Sequence, residues 1–174
     1  DLHRVDRRQR QMCIRDRDIS VMLLGRPYTV LDPELNKKIP QMLARMGIKA
    51  FFQDMLELGG KESFASRPFL EELHWNYAAD IIKAAEKVCS MQGLYPVLMT
   101  SFNCSPDSFI RDVFQKLMEE ANKPYLILEM DEHGSSVGYE TRIEAALRSF
   151  KNHARRKRPP ALNPAVINPV KAAG

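Results

Sequence analysis

Residues 19–25, "ISVMLLG", form a short unbroken apolar run ending in glycine. A strand covered on both faces reads this way, because its alternating side chains each meet a core rather than water. Downstream lies "DPELNKKIPQMLARMG" (32–47), a helical pattern with Asp32 as N-cap, Pro33 at the first helical position and Gly47 as its stop. Pro40, inside it, is expected to kink or divide the helix. "IKAFFQ" (48–53) is a second strand, and a Gly-Gly loop leads to the long pattern "SRPFLEELHWNYAADIIKAAEKVCSMQ" (66–92). There Leu70, Leu73, Tyr77, Ile81, Ala84 and Val88 recur every three or four residues as one buried face.

The same alternation continues to the end of the apolar patterning. "YPVLMTSF" (95–102) is a third strand, and "SPDSFIRDVFQKLMEEA" (105–121) its helix, with Phe109, Val113, Leu117 and Met118 expected inward. "PYLILEM" (124–130) is a fourth strand, and "GYETRIEAALRSFKNH" (138–153) the last amphipathic helix. Four strands each followed by a helix predict an α/β fold, a parallel sheet with helices on both faces. Right-handed crossovers favour a doubly wound, flavodoxin-like order 2-1-3-4.

The chain's 174 residues allow one sizeable core, and the composition, 44% hydrophobic and 28% charged, is that of a globular protein. No apolar run approaches a membrane span. Its net charge of +4 is unevenly spread. Residues 1–17 hold six Arg and three Asp, and residues 151–174 hold six Lys or Arg and no acid. The body, 18–150, therefore has 14 bases against 19 acids, a charge of −5. An acidic body is a poor footprint for nucleic acid, so neither nucleic acid nor a membrane is an expected partner.

The two ends differ from the body. Residues 1–17 lack apolar periodicity and read as disordered, and "MCIRDR" (12–17) resembles a translated sequencing adapter. Residues 151–174 read as a basic, Pro-rich linker or the truncated start of a next region, with the cluster Arg155–Arg158 as a solvated helix end. Together they suggest a fragment. The three cysteines, at 13, 89 and 104, show no framework spacing, which fits a reducing, cytoplasmic setting. Cys89 reads as a small packed hydrophobe, and packing is likewise the default for His74 and Trp75.

In the expected sheet the loops after strands 1, 3 and 4 meet where ligands bind. They are "GRPYTVLDP" (25–33), "SFNCSPDS" (101–108) and "DEHGSSVGYETR" (131–142). They gather Arg26, Tyr28, Cys104, Asp107, Asp131, Glu132, His133 and Arg142. Cys104 stands just before an N-cap serine, a proline and an acid, where a helix dipole would lower its pKa. A phosphatase loop is disfavoured, since the six residues from Cys104 to Arg111 are one too many and Pro106 removes a backbone donor. No CxxC supports zinc. A Cys–His pair with His133 and a packed turn cysteine both remain open.

Three blocks carry a family resemblance: "LGRPYTVLDPELNKKIP" (24–40), "TSFNCSPDSF" (100–109) and "LILEMDEHGSSVGYETRIEAALRSF" (126–150). They resemble the 2-hydroxyacyl-CoA dehydratase family, and more closely its activase-related proteins, in which a dehydratase-like region is fused to ATP-dependent activase domains. The family's central motif is close to "SFGCGPDSF", so Asn103 and Ser105 stand where it has glycines. The resemblance implies that Cys104 is one thiolate ligand of a 4Fe-4S or related iron–sulfur cluster in an anaerobe's protein, the other ligands lying outside this chain. Arg26, Tyr28, Asp107, Asp131, Glu132, His133 and Arg142 would line the pocket. The implied partners are an activase domain or subunit, other dehydratase-like domains supplying cysteines, and acyl-CoA. ATP would enter only through activase domains, since this chain has no P-loop, only "LGRP" and "LGGKES". The function implied is ATP-driven low-potential electron transfer for acyl-CoA dehydration. A non-catalytic flavodoxin-like interaction or scaffold domain is the alternative.

Overall fold

The apolar run 19–25 becomes strand β1, Ser20–Gly25, and all of its residues are buried. The computed structural model describes residues 19–58, 76–101, 105–130 and 136–157. After β1 come two short helices, α1 (Pro27–Leu31) and α2 (Ile39–Arg45), then β2 (Lys49–Phe52) and a 3-10 turn, Gln53–Met55. The remaining elements are α3 (Asn76–Ser90), β3 (Leu94–Thr100), α4 (Ser105–Glu120), β4 (Leu126–Glu129) and α5 (Ser136–Arg156). The strands form one parallel sheet in the order β2-β1-β3-β4, the expected flavodoxin-like arrangement. Leu70, Leu73, His74, Trp75, residues 1–17 and residues 158–174 lie outside the described residues, whereas 151–156, expected in the Pro-rich linker, continue α5.

The period-two pleat explains why β1 is apolar throughout. Val21 and Leu23 face one core with Val30, Met42 and Leu43 of the short helices and Tyr139, Ile143, Leu147 and Phe150 of α5. Met22 and Leu24 face the other, packed by Ala78, Ile81, Ala85 and Val88 of α3 and Phe114 and Met118 of α4. Burying a side chain of this size contributes roughly 1.5–3 kcal/mol, so a strand covered on both faces secures the whole sheet. Pro96, in the inner strand β3, lacks an N–H but sits ahead of the β3–β4 ladder, which begins at Val97.

Two helical expectations are corrected. The pattern 32–47 is not one helix: residues 33–38 form turns, and α2 begins at Ile39 with Pro40 in its first turn. A proline in the interior would lose a hydrogen bond and clash with the preceding turn, whereas a first-turn position needs no N–H. Asp32 still acts like a cap, its Oδ1 accepting from the backbone N–H of Glu34 (2.8 Å) and Leu35 (3.2 Å). Asn36, 2% exposed, closes the turn by donating to the Val30 carbonyl and accepting from Lys38 N–H, while Lys37 and Lys38 take φ of 50° and 59°. In α4, Leu117 and Met118 are buried and Val113 packs against the core as expected, but Ile110 and Phe114 complete the inward stripe and Phe109 is exposed. Extending a face centred on Phe109 along the helix would bring Lys116 and Glu120 toward the core, and the charges decide the rotation.

At the amino-terminal end of the sheet, Lys123 follows α4 and is only 6% exposed. Its Nζ donates to the carbonyls of Val88 (2.8 Å) and Met91, closing the C-terminus of α3, where a cation suits the helix dipole. It also lies 5.4 Å from the Tyr95 ring centroid. Burial pushes the Lys123 ammonium down to about 8, against an ordinary 10.5.

Two outcomes follow from this packing. A Cβ on Gly25 would lie 2.5 Å from the Met99 carbonyl oxygen and 2.9 Å from Val30 Cγ2, whereas one on Gly47 meets nothing within 4 Å. Gly25→Ala is expected to cost about 2–3 kcal/mol in urea unfolding, and Gly47→Ala, at φ +72°, about 1 kcal/mol. Between the folded value of about 8 and the ordinary 10.5 for Lys123, the unfolded chain holds the proton more firmly. Stability should therefore rise as pH climbs through that window, and Lys123→Met should flatten the rise in urea titrations run across it.

Candidate functional site

The chain leaves the sheet in opposite directions after β1 and β3, which pair side by side up to Gly25 and Met99. Neighbouring strand ends whose connections diverge leave a crevice between them. Gly25, with φ of 154°, turns the chain out of β1, and its N–H donates to Gln53 Oε1 (3.1 Å) beyond β2. The buried Thr29 hydroxyl meets Ser101 Oγ at 2.8 Å, fastening α1 to the end of β3. Three strand ends are thus tied together by side chains of small reach.

Arg26 is the longest reach across this crevice. Its Nε and Nη2 both donate to Asp107 Oδ1, at 3.0 and 2.5 Å, and its Nη1 donates to the Tyr28 hydroxyl at 2.9 Å. The guanidinium lies 4.6 Å from the ring centroid of Tyr77 in α3 and 5.9 Å from that of Tyr28. Burial opposes the charge, but the hydrogen bonds to Asp107 and Tyr28 outweigh it and hold the guanidinium above its ordinary value. One side chain therefore joins the β1 loop to α3 and to the first turn of α4. The Asp107 side chain is 4% exposed against 20% for Arg26. Its Oδ2 is buried with no hydrogen-bond partner among the described residues. Asp107 lines a small cleft, open to solvent, with Gly25 and Arg26, Met99 and Thr100, and Ile110.

Of the residues expected at the site, Arg26, Tyr28 and Asp107 come together here. Arg142 donates from Nη2 to the Ile127 carbonyl (2.8 Å) on β4 and is exposed. Cys104, Asp131, Glu132 and His133 lie outside the described residues. Tyr77, assigned from its spacing to the α3 core face, is half-buried, packs against that core and also supplies an aromatic face to Arg26. Gln53, Thr29 and Ser101 carry no sequence signal, since their partners are distant in the chain. Beyond β4, Arg111 of α4 donates to Glu129 Oε1 (3.2 Å), and Tyr139 donates to the Glu129 carbonyl (3.2 Å).

The donor chemistry for an iron–sulfur cluster is thiolate, and the described residues do not supply it in number. Cys89 sits at the C-terminal end of α3, partly buried, with its thiol 3.9 Å from Met118 Sδ. That end of α3 leads into the start of β3, whereas Cys104 follows its finish. Among the described residues no group of three or more His, Cys, Asp or Glu could hold a metal ion. Cys104 alone does not complete a ligand set. No helix among the described residues is long and apolar enough to cross a membrane.

Residues 2–56 match the family described as CoA enzyme activase uncharacterised domain, a span that takes in β1, α1, α2 and β2 with Arg26 and Tyr28. No curated protein and no solved structure matches the chain.

The asymmetry of the ion pair sets the expected behaviour of its variants. Arg26→Met strands a buried carboxylate and should cost about 3 kcal/mol, whereas Asp107→Asn leaves a guanidinium that reaches water and should cost about half as much. Arg26→Lys should restore only part of the loss, since an ammonium cannot grip one oxygen with two nitrogens or stack on Tyr77. Chemical denaturation of the three variants measures this order.

Proposed function

We propose that this chain is a relay or receiving module in a CoA enzyme activase-type system, of the 2-hydroxyacyl-CoA dehydratase and activase-related kind. The observation that carries the reading is the Arg26–Asp107 pair, which fixes the first turn of α4 three residues beyond Cys104 in sequence. In this reading Cys104 gives one thiolate to an iron–sulfur cluster whose remaining thiolates come from other domains or subunits. Such a cluster would carry single electrons at low potential, toward acyl-CoA dehydration driven by ATP at an activase domain. The chain's own contribution is positional. Arg26 neutralises Asp107, and Tyr77 and Tyr28 flank the guanidinium, so the helix start after the cysteine loop is held without a free surface charge. The family match over residues 2–56 supports the activase side of the reading.

A second reading, an interaction or scaffold domain without redox chemistry, draws on the exposed apolar side chains. Tyr28, Leu31, Leu35, Met55, Phe109 and Val137 are each at least 38% exposed, and each lies in a segment that follows the carboxyl end of a strand. Cluster binding separates the two readings. The full-length protein, reconstituted anaerobically with iron and sulfide, is expected to show a cluster by absorption and EPR. Cys104→Ser should lose most of that signal or change its spectrum, and Cys89→Ser should leave it intact. A cluster unaltered in Cys104→Ser would end the ligand assignment, and no cluster in the wild type would favour the scaffold.

A further inference from the structure

The sheet's other end holds a buried titratable network that the proposed function does not use. Tyr95 of β3 is 1% exposed and stacks on Phe150 of α5, with ring centroids 4.6 Å apart and planes 7° from parallel. Its hydroxyl lies 2.9 Å from His153 Nδ1, and His153 Nε2 lies 3.1 Å from the Asn122 carbonyl oxygen. A carbonyl can only accept, so Nε2 carries the proton. In the neutral ring Nδ1 is then an acceptor, and Tyr95 donates to it. Both nitrogens of neutral His153 are satisfied, one by β3 and one by the α4–β4 turn.

We propose that His153 is an acid-released latch: its neutral form pins the last turns of α5 to β3 and to the α4–β4 turn, and protonation frees them. A second ring proton would sit at Nδ1, facing the Tyr95 hydroxyl, whose own hydrogen then loses its acceptor in a buried setting. Among the described residues the charge would also find no carboxylate facing it. The groups that face it are Tyr95 from β3, Lys123 from the α4–β4 turn, and Arg156 and Lys157 from its own helix end. From α3, Cys89 faces Lys123 rather than the imidazole, and the Val88 and Met91 carbonyls are engaged by Lys123.

The electrostatics agree with the geometry. Burial first, then the charges of Lys157, Lys123 and Arg156, push His153 below the ordinary 6.5, and the Asn122 hydrogen bond only partly opposes them. A folded value below the unfolded one means the released state takes up the proton more readily. The latch is therefore closed above the ordinary value and opens as pH falls below it. Burial also raises Tyr95, so the hydroxyl stays protonated and keeps its role as donor throughout. The segment set free carries Arg155, Arg156 and Lys157.

Amide hydrogen exchange on the whole 174-residue chain tests this directly. Protection of the amides at 153–157, taken relative to those at 81–88 of α3, is expected to fall roughly three- to tenfold between about pH 7.5 and about pH 5. In His153→Gln, which can still donate and accept but does not titrate, the same change should be less than about twofold. Equal pH dependence in the two proteins, or none in the wild type, would overturn the latch. NMR of the wild-type imidazole tests it without any substitution. An Nε2–H tautomer at neutral pH with a midpoint under 6.5 supports it, and an Nδ1–H tautomer or a midpoint at or above 6.5 defeats it.

Discussion

At Gly25 the backbone of β1 runs so close to that of β3 that a side chain's first carbon would lie 2.5 Å from the Met99 carbonyl oxygen. That approach lets β1 end where β3 ends and lets the chain turn out over the crevice between them. Without it the β1 loop would stand off from α4, and Arg26 would not reach Asp107. The two-sided burial of β1 supplies the free energy that holds the approach in place. Val21 and Leu23 are locked under α5 and the short helices, and Met22 and Leu24 under α3 and α4.

The ion pair built on that constraint is unequal. Asp107 is withdrawn from solvent and Arg26 is not, so the pair acts chiefly to make a buried carboxylate tolerable at the start of α4. A carboxylate suits that position, since the helix N-terminus presents partial positive charge. Its second oxygen is buried and has no hydrogen-bond partner among the described residues. Arg26 is committed to Asp107, Tyr28 and Tyr77, and contributes rigidity more than an open anion site.

The two ends of the sheet have contrasting chemistry. The carboxyl end has short polar ties, an ion pair and exposed apolar side chains. The amino end has a buried ammonium, a stacked aromatic pair and an imidazole, all serving to fasten α3, α4 and α5 to β3. Lys123 and His153 are both depressed by burial, but they titrate in different ranges and so report on different disturbances of the same layer.

Much of this was legible in the residues. Continuous apolar strands alternating with amphipathic helices determine a parallel sheet with two covered faces, because only such a sheet hides both sides of "ISVMLLG", and right-handed crossovers then give the order. Arg26, Tyr28 and Asp107 could be gathered in advance because the switch-point rule converts strand order into loop proximity. Pro40 marked the break in the 32–47 pattern, although not that turns would fill 33–38, which depends on the buried Asn36 closing them. On α4 Leu117 and Met118 are buried and Val113 packs against the core as expected, and only Phe109 departs, since Phe109 and Ile110 are equally apolar and the inward place falls to Ile110. Tertiary structure alone decided that Tyr77 serves Arg26, that Lys123 caps α3, and that His153 meets Tyr95. Each of those contacts joins residues far apart in the chain, and hydrogen bonding and burial select partners by position in space, which no local pattern encodes.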